Sequence, residues 1–216
     1  MSAPKQARSL ASMNRMLDAA EELLDGGGPD ALTVDAVVAT AETSVGSFYA
    51  RFGDRSGLLV ALQDRFLSGL SEALDPVFRA AATEPNLSST LDHVVSGYLD
   101  AFRIHRQAFV AFMLVNRSDL AMRERGAEST HLAARALHRA LTPHRAEIAH
   151  ADPVLAADVA HRTLFALATQ SVMFDPDELG PQPLPDRQLD RHIAAMVYGY
   201  LTTPIEDPEL DGSPAA

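Results

Sequence analysis

The sequence predicts an all-α fold of about nine helices, and three observations carry that prediction. Apolar residues recur at three- and four-residue spacing along nearly the whole chain. No stretch alternates apolar and polar residues as a half-buried strand would. The breaks between periodic segments carry residues that start and stop helices. With 47% hydrophobic residues in 216, the chain can bury a core and is too apolar for a disordered one.

Leu10, Met13, Leu17, Ala20 and Leu24 share one face of a first helix. Gly26-Gly27-Gly28-Pro29 should stop it, because glycine accepts left-handed backbone and proline cannot continue a helix. Val34, Val37 and Val38 follow Thr33, a suitable N-cap. Val45, Phe48 and Phe52 follow Ser44, a second cap, and their spacing predicts that all three face inward. Leu58, Leu59, Leu62, Phe66, Leu70 and Leu74 mark a longer helix. Asp75-Pro76 and Asp152-Pro153 both read as helix starts, since proline at the first helical position loses no intrahelical bond. Between them come helices around Leu91 to Phe102, over 109–115, and around Leu132 to Leu141 with Pro143 beyond. A long helix is expected over 154–174 and a last one over Leu189 to Leu201. Residues 175–186, with four prolines and a glycine, are expected to form a loop.

Charge and composition exclude several classes. Eighteen basic residues against 29 acidic give a net charge of -11, which argues against a protein that coats nucleic acid or anionic membrane. Residues 1–60 contribute -3 of this, from five basic and eight acidic side chains, so a local DNA surface remains compatible. The chain has no cysteine, which removes disulfides, thiolate metal sites and thiol nucleophiles. The longest run without Asp, Glu, Lys or Arg is 14 residues, short of the roughly 20 that span a bilayer. Residues 1–8 lead into no apolar signal core, and a cytoplasmic location is expected. The eight histidines show neither HExxH nor His-x₃-His spacing, so no metal site is expected. No nucleophile-elbow, P-loop or dinucleotide glycine pattern occurs; the expectation is a non-enzyme without cofactor.

The informative stretch is 33–58, TVDAVVATAETSVGSFYARFGDRSGL. Two helices too short to stand alone, joined by a few residues, persist only when packed on neighbours. Such a pair, backed by a third helix, is the helix-turn-helix plan, whose second helix enters the major groove. Gly46, Ser47, Tyr49 and Arg51 are expected outward. Gly46 lets backbone approach a phosphate, Ser47 and Tyr49 offer hydroxyls, and Arg51 and Arg55 offer cations.

Ala19-Ala20, Thr33, Ser44, Gly46, Tyr49, Phe52, Arg55 and Leu58-Leu59 fall in the order found in the TetR (tetracycline-repressor-like) family of bacterial regulators, and the first 60 residues resemble its DNA-binding domain. The resemblance implies phosphate contacts from Thr33, Ser44, Tyr49 and Arg55. It puts Gly46, Ser47 and Arg51 at or near base edges, with Val45 counted in the same DNA-binding set. One departure is local. The family usually has Ala-Gly in the turn, and this chain has Ala41-Glu42; a left-handed residue there would cost on the order of 1 kcal/mol without glycine.

The organisation expected is a helix-turn-helix domain over 1–60, a helical ligand-binding and dimerisation domain over 61–203, and a disordered tail over 204–216. Phe66, Tyr98, Phe102, His105, Phe109, Met113, Phe165 and Gln170 are candidates for a largely apolar effector pocket, with His105, Tyr98 or Gln170 orienting the ligand; ordinary core packing accounts for the same inventory. Small residues on the last two long helices (Ala157, Ala160, Ala168, Gly199) suit a two-fold four-helix dimer interface. The function implied is a homodimeric repressor, bound to a pseudo-palindromic double-stranded DNA operator and released by a small molecule. The alternative is a helical interaction module or ligand-binding protein without sequence-specific DNA binding.

Overall fold

The computed structural model describes residues 3–115, 119–182 and 184–205. Among them are ten α-helices, two 3-10 helices and no strand, so the all-α class stands. The helices are α1 (Ala3–Gly27), α2 (Val34–Thr40), α3 (Val45–Phe52), α4 (Arg55–Ala81), α5 (Leu87–Ile104), α6 (Arg106–Val115), α7 (Leu120–Leu141), α8 (Pro153–Met173), α9 (Pro176–Leu179) and α10 (Asp186–Thr202). The expected tail lies, beyond Ile205, outside the described residues.

Two local expectations are corrected. Asp75-Pro76 does not start a helix, because α4 runs through it without a break. Pro76 forgoes the one bond its N–H would have given the Glu72 carbonyl. The turns on both sides hold, and Arg79 pairs with Asp75 one turn back at 2.6 Å. Residues 175–186 are not loop throughout, since α9 makes a single turn at their start. There the Asp175 amide donates to the Glu178 carboxylate at 2.8 Å, which fixes the first turn despite the prolines around it. The other Asp-Pro start is as expected: Asp152 accepts from the amides of Val154 and Leu155, and α8 begins at Pro153.

The chain divides into two compact units, Met1–Ser71 with Ile104–Ser129, and Glu72–Arg103 with Thr130–Ala216. In the first, α1 packs on α2 and α6, and α2 packs on α3. Met16, Leu17, Ala20, Leu24, Val37, Val38, Phe48, Leu58 and Leu62 are buried there. Leu10 is exposed although its spacing put it on the inner face of α1, and Met16 takes the buried place nearer the helix centre.

In the second unit α8 packs on α10. Leu91, Val94, Val95, Tyr98, Leu99 and Phe102 of α5 are buried, as are Ala157, Ala160, Leu164 and Ala168 of α8 and Ile193, Val197 and Leu201 of α10. An ion pair ties α5 to α10: Arg103 reaches Asp190 at 2.6 Å, with the Asp190 side chain only 4% exposed and Arg103 18%. Asp100 and Asp186 also lie on Arg103, at 3.1 and 3.5 Å, so the half-buried guanidinium has several acceptors.

Candidate nucleic-acid interface

The segment from Thr33 to Gly57 is built from local hydrogen bonds that its sequence specifies. Thr33 has extended backbone, and its hydroxyl accepts from the Ala36 amide at 3.1 Å, which opens α2. Seven residues later α2 closes in a Schellman motif: the Thr43 amide donates to Val38 at 2.9 Å and the Glu42 amide to Ala39 at 3.2 Å. That motif demands a left-handed residue at Glu42, whose φ is +50°. It is the one non-glycine residue with positive φ among the described residues. The turn that the sequence left in doubt is therefore left-handed with a glutamate in the glycine position.

Ser44 then opens α3. Its hydroxyl accepts from the Ser47 amide at 3.2 Å and donates to the Ser47 hydroxyl at 3.0 Å. Gly53, at φ +75°, ends the helix and donates to the Tyr49 carbonyl at 3.0 Å. The entry to α4 then passes very close to α3. A Cβ on Gly57 would stand 1.8 Å from the Phe52 carbonyl oxygen, so only glycine fits. The Asp54 carboxylate accepts from the Gly57 amide at 2.8 Å and holds the approach.

This framework brings Thr33, Ser44, Val45, Gly46, Ser47, Tyr49, Arg51 and Arg55 into one short stretch of surface-bearing helix ends. Thr33, Ser44, Gly46 and Arg55 are exposed, and Tyr49 is 51% exposed with its ring edge-on to Phe48 at 5.7 Å. Ser47 and Arg51 are half-buried. Val45 is 43% exposed, contrary to the inward face its spacing suggested. An eight-residue helix turns little more than twice, and only its middle turn, at Phe48, is fully enclosed.

The arginines are the main surprise. Arg51 donates to the Ser9 carbonyl at 3.2 Å and to the Ser47 carbonyl at 3.1 Å, so it ties α3 to α1. Arg55 donates to the Leu32 carbonyl at 2.8 Å, ahead of α2. Arg15 of α1 reaches the Ala41 carbonyl at 3.4 Å, beside the turn. Three cations are thus engaged with main-chain carbonyls of the helix-turn-helix itself. Their sequence separations, up to 42 residues, leave no local pattern from which this could be read.

The candidate effector residues fall into two groups, one within each unit. In the first, the Phe66 ring lies 6.0 Å from His105, 6.3 Å from Phe109 and 5.5 Å from Phe112. Burial holds the His105 pKa below its ordinary value. In the second, Tyr98 stacks on Phe102 at 5.0 Å, and Phe165 packs edge-on to Phe102 at 6.1 Å. Met113 and Gln170 are exposed. The sequence reading passed over His161, which is buried with its Nε2 3.5 Å from the Tyr98 hydroxyl. Burial pushes the His161 pKa down and the Tyr98 pKa up, so both are neutral near pH 7.

The small residues singled out on α8 do not form an outer face. Ala157, Ala160 and Ala168 are buried within the unit, and of the four only Gly199, on α10, is exposed. The exposed surface of α8 instead carries Leu155, Arg162, Thr163, Ala166 and Gln170, and that of α10 carries His192, Ala195, Met196 and Gly199. No group of three or more metal-ligating side chains occurs among the described residues, and none of their helices is long and apolar enough to cross a membrane.

Comparison with known proteins agrees with this architecture. The family model for bacterial regulatory proteins of the tetR family matches residues 16–62, and that for the tetracyclin repressor-like C-terminal domain matches 86–201. Among solved structures, a TetR-family transcriptional regulator from Mesorhizobium loti is similar at 17% identity and a TM-score of 0.73, covering 90% of this chain and 96% of that one. A transcriptional regulator from Rhodococcus is similar at 16% identity and 0.67, over 88% and 95%. The fatty acid degradation regulator FadR from Bacillus halodurans is similar at 16% identity and 0.62, over 86% and 97%. Likenesses at these identities speak to the fold. No curated protein matches the chain.

Proposed function

The chain belongs to the TetR family of bacterial regulatory proteins, and on that premise we propose that it is a homodimeric repressor which reads a pseudo-palindromic operator with α3 and is released by a small, largely apolar effector. Regulators of this family bind DNA and are not enzymes. The observation that carries the finer reading is the N-terminal half of α3. Ser44, Gly46 and Tyr49 are exposed on it, and the helix is fixed by a cap at one end and a left-handed glycine at the other. Hydroxyls and bare backbone on a rigid helix start are suited to phosphates and base edges of a major groove.

The roles divide within the set. Thr33, Ser44, Val45, Gly46, Ser47 and Tyr49 face DNA. Arg51 and Arg55 hold the helices that present them, and whatever donors they have left serve the phosphates. Two copies pairing through α8 and α10 would bring two recognition helices to successive major grooves. Leu155 and Met196, exposed on those helices at 48% and 63%, supply the apolar area for that pairing, and Ala166, Ala195 and Gly199 allow close approach. The effector chemistry rests on the aromatic groups around Phe66 and around Tyr98, and the site of action is the cytoplasm, where operators are.

The test is selection of genomic fragments by the purified protein, followed by salt-titrated binding to the enriched sequence. Tyr49→Ala should weaken binding by more than about 1 kcal/mol at every sequence tested. An enriched palindrome bound equally well by wild type and Tyr49→Ala would remove α3 from the interface.

A further inference from the structure

Glu42 is placed oddly for a residue in a DNA-reading turn. It is exposed, it stands two residues ahead of the α3 cap Ser44, and it holds a left-handed backbone that an L-residue other than asparagine or aspartate seldom adopts. No ion pair of Glu42 forms among the described residues, although Arg15 lies close enough to donate to the neighbouring Ala41 carbonyl. The carboxylate therefore gives nothing back to the fold that would offset the strain. Arg15, Arg51 and Arg55 keep their full charge but each directs at least one donor to the protein's own main chain, and none of them is held on the Glu42 carboxylate. A strained, solvent-facing acid beside the recognition helix is the kind of outlier that points to function.

We propose that Glu42 is an affinity-setting residue: its carboxylate repels the operator backbone near the α3 N-terminus and keeps binding weak enough to be reversible. The inference rests on the DNA-binding reading above. The repulsion acts on phosphates, so it is indifferent to base sequence. It lowers affinity for operator and for other DNA by the same factor and makes the salt dependence shallower. One phosphate at about 6 Å in water gives on the order of a threefold effect, and several phosphates give more.

The experiment is a charge series in the full chain, E42Q and E42K, with E42G as the strain control. Each variant is titrated against a duplex of the enriched genomic fragment and a mixed-sequence duplex of equal length, over a range of salt. Expected are a rise of about threefold or more for E42Q on both duplexes, a further rise for E42K, and convergence of all variants with wild type at high salt. E42G should bind like E42Q and also melt at higher temperature, whereas E42Q keeps the wild-type melting point. Equal affinities of wild type, E42Q and E42K, with Tyr49→Ala still defective, would overturn the inference and leave the DNA-binding reading intact. No retention of either duplex by wild type or any variant would overturn both.

Discussion

The helix-turn-helix and the second unit are held together by different kinds of contact. In the first, almost every fixed point is a hydrogen bond to main chain: two hydroxyl caps, one carboxylate on the Gly57 amide, and arginines reaching carbonyls. In the second, such main-chain contacts, as at Asp152, stand beside two that are side chain on side chain and far apart in sequence. Arg103 meets Asp190 across 87 residues, and Tyr98 meets His161 across 63. A surface that must present backbone and short side chains to a rigid duplex is set by backbone-level contacts. A body that carries packing faces and aromatic clusters is set by its side chains. The difference makes the two regions vulnerable to different substitutions.

Asp190→Ala is the sharpest way to break that contrast. It leaves Arg103 half-buried and charged, with Asp100 and the more exposed Asp186 as its remaining partners. Removing the buried member of a half-buried pair, with two carboxylates still on the guanidinium, costs about 2–3 kcal/mol. Hydrogen exchange should show α10 and the end of α5 losing protection while α2 and α3 keep theirs. Equal loss in α2 and α3 would show that the two units do not open separately.

Gly57→Ala makes the reciprocal test in the first unit. The new methyl group would meet the Phe52 carbonyl, which is backbone and can yield only if α3 or the start of α4 moves. Overpacking of this kind costs about 1–3 kcal/mol. Exchange should now quicken in α3 and the first turns of α4, with α8 and α10 unchanged. DNA retention should fall with it. Full retention alongside lost protection would mean that DNA restores the helix geometry on binding.

These two substitutions also mark where sequence reading succeeds and stops. Thr33, Ser44 and Asp152 were legible as caps because a cap acts on amides two or three residues away. A left-handed residue at Ala41-Glu42 was raised only by the resemblance, because the family usually has glycine in that turn. Arg51 was not legible, because whether a guanidinium faces solvent or the Ser9 carbonyl depends on how α1 and α3 cross. His161 and Asp190 were invisible for the same cause, since a polar residue on an apolar face gives no sign of the partner that satisfies it. The buried Ala157, Ala160 and Ala168 show a third limit: small residues announce close packing without saying whether the neighbour is the same chain or another.

Ser44→Ala is the smallest of the three effects and separates stability from recognition most cleanly. It removes an acceptor for the Ser47 amide and the hydrogen bond to the Ser47 hydroxyl, both on the protein surface where water can replace them. The loss of such a cap is worth about 1 kcal/mol. Thr33→Ala removes an equivalent cap from α2 and should cost a similar amount by melting. The two part company on DNA if Ser44 serves both the helix and a phosphate. Ser44→Gly restores most of the capping without the hydroxyl, so it should regain stability and leave the binding defect in place. If Ser44→Gly instead recovers both, the hydroxyl acts on the helix alone, and recognition at the α3 N-terminus belongs to the backbone, Val45, Ser47 and Tyr49.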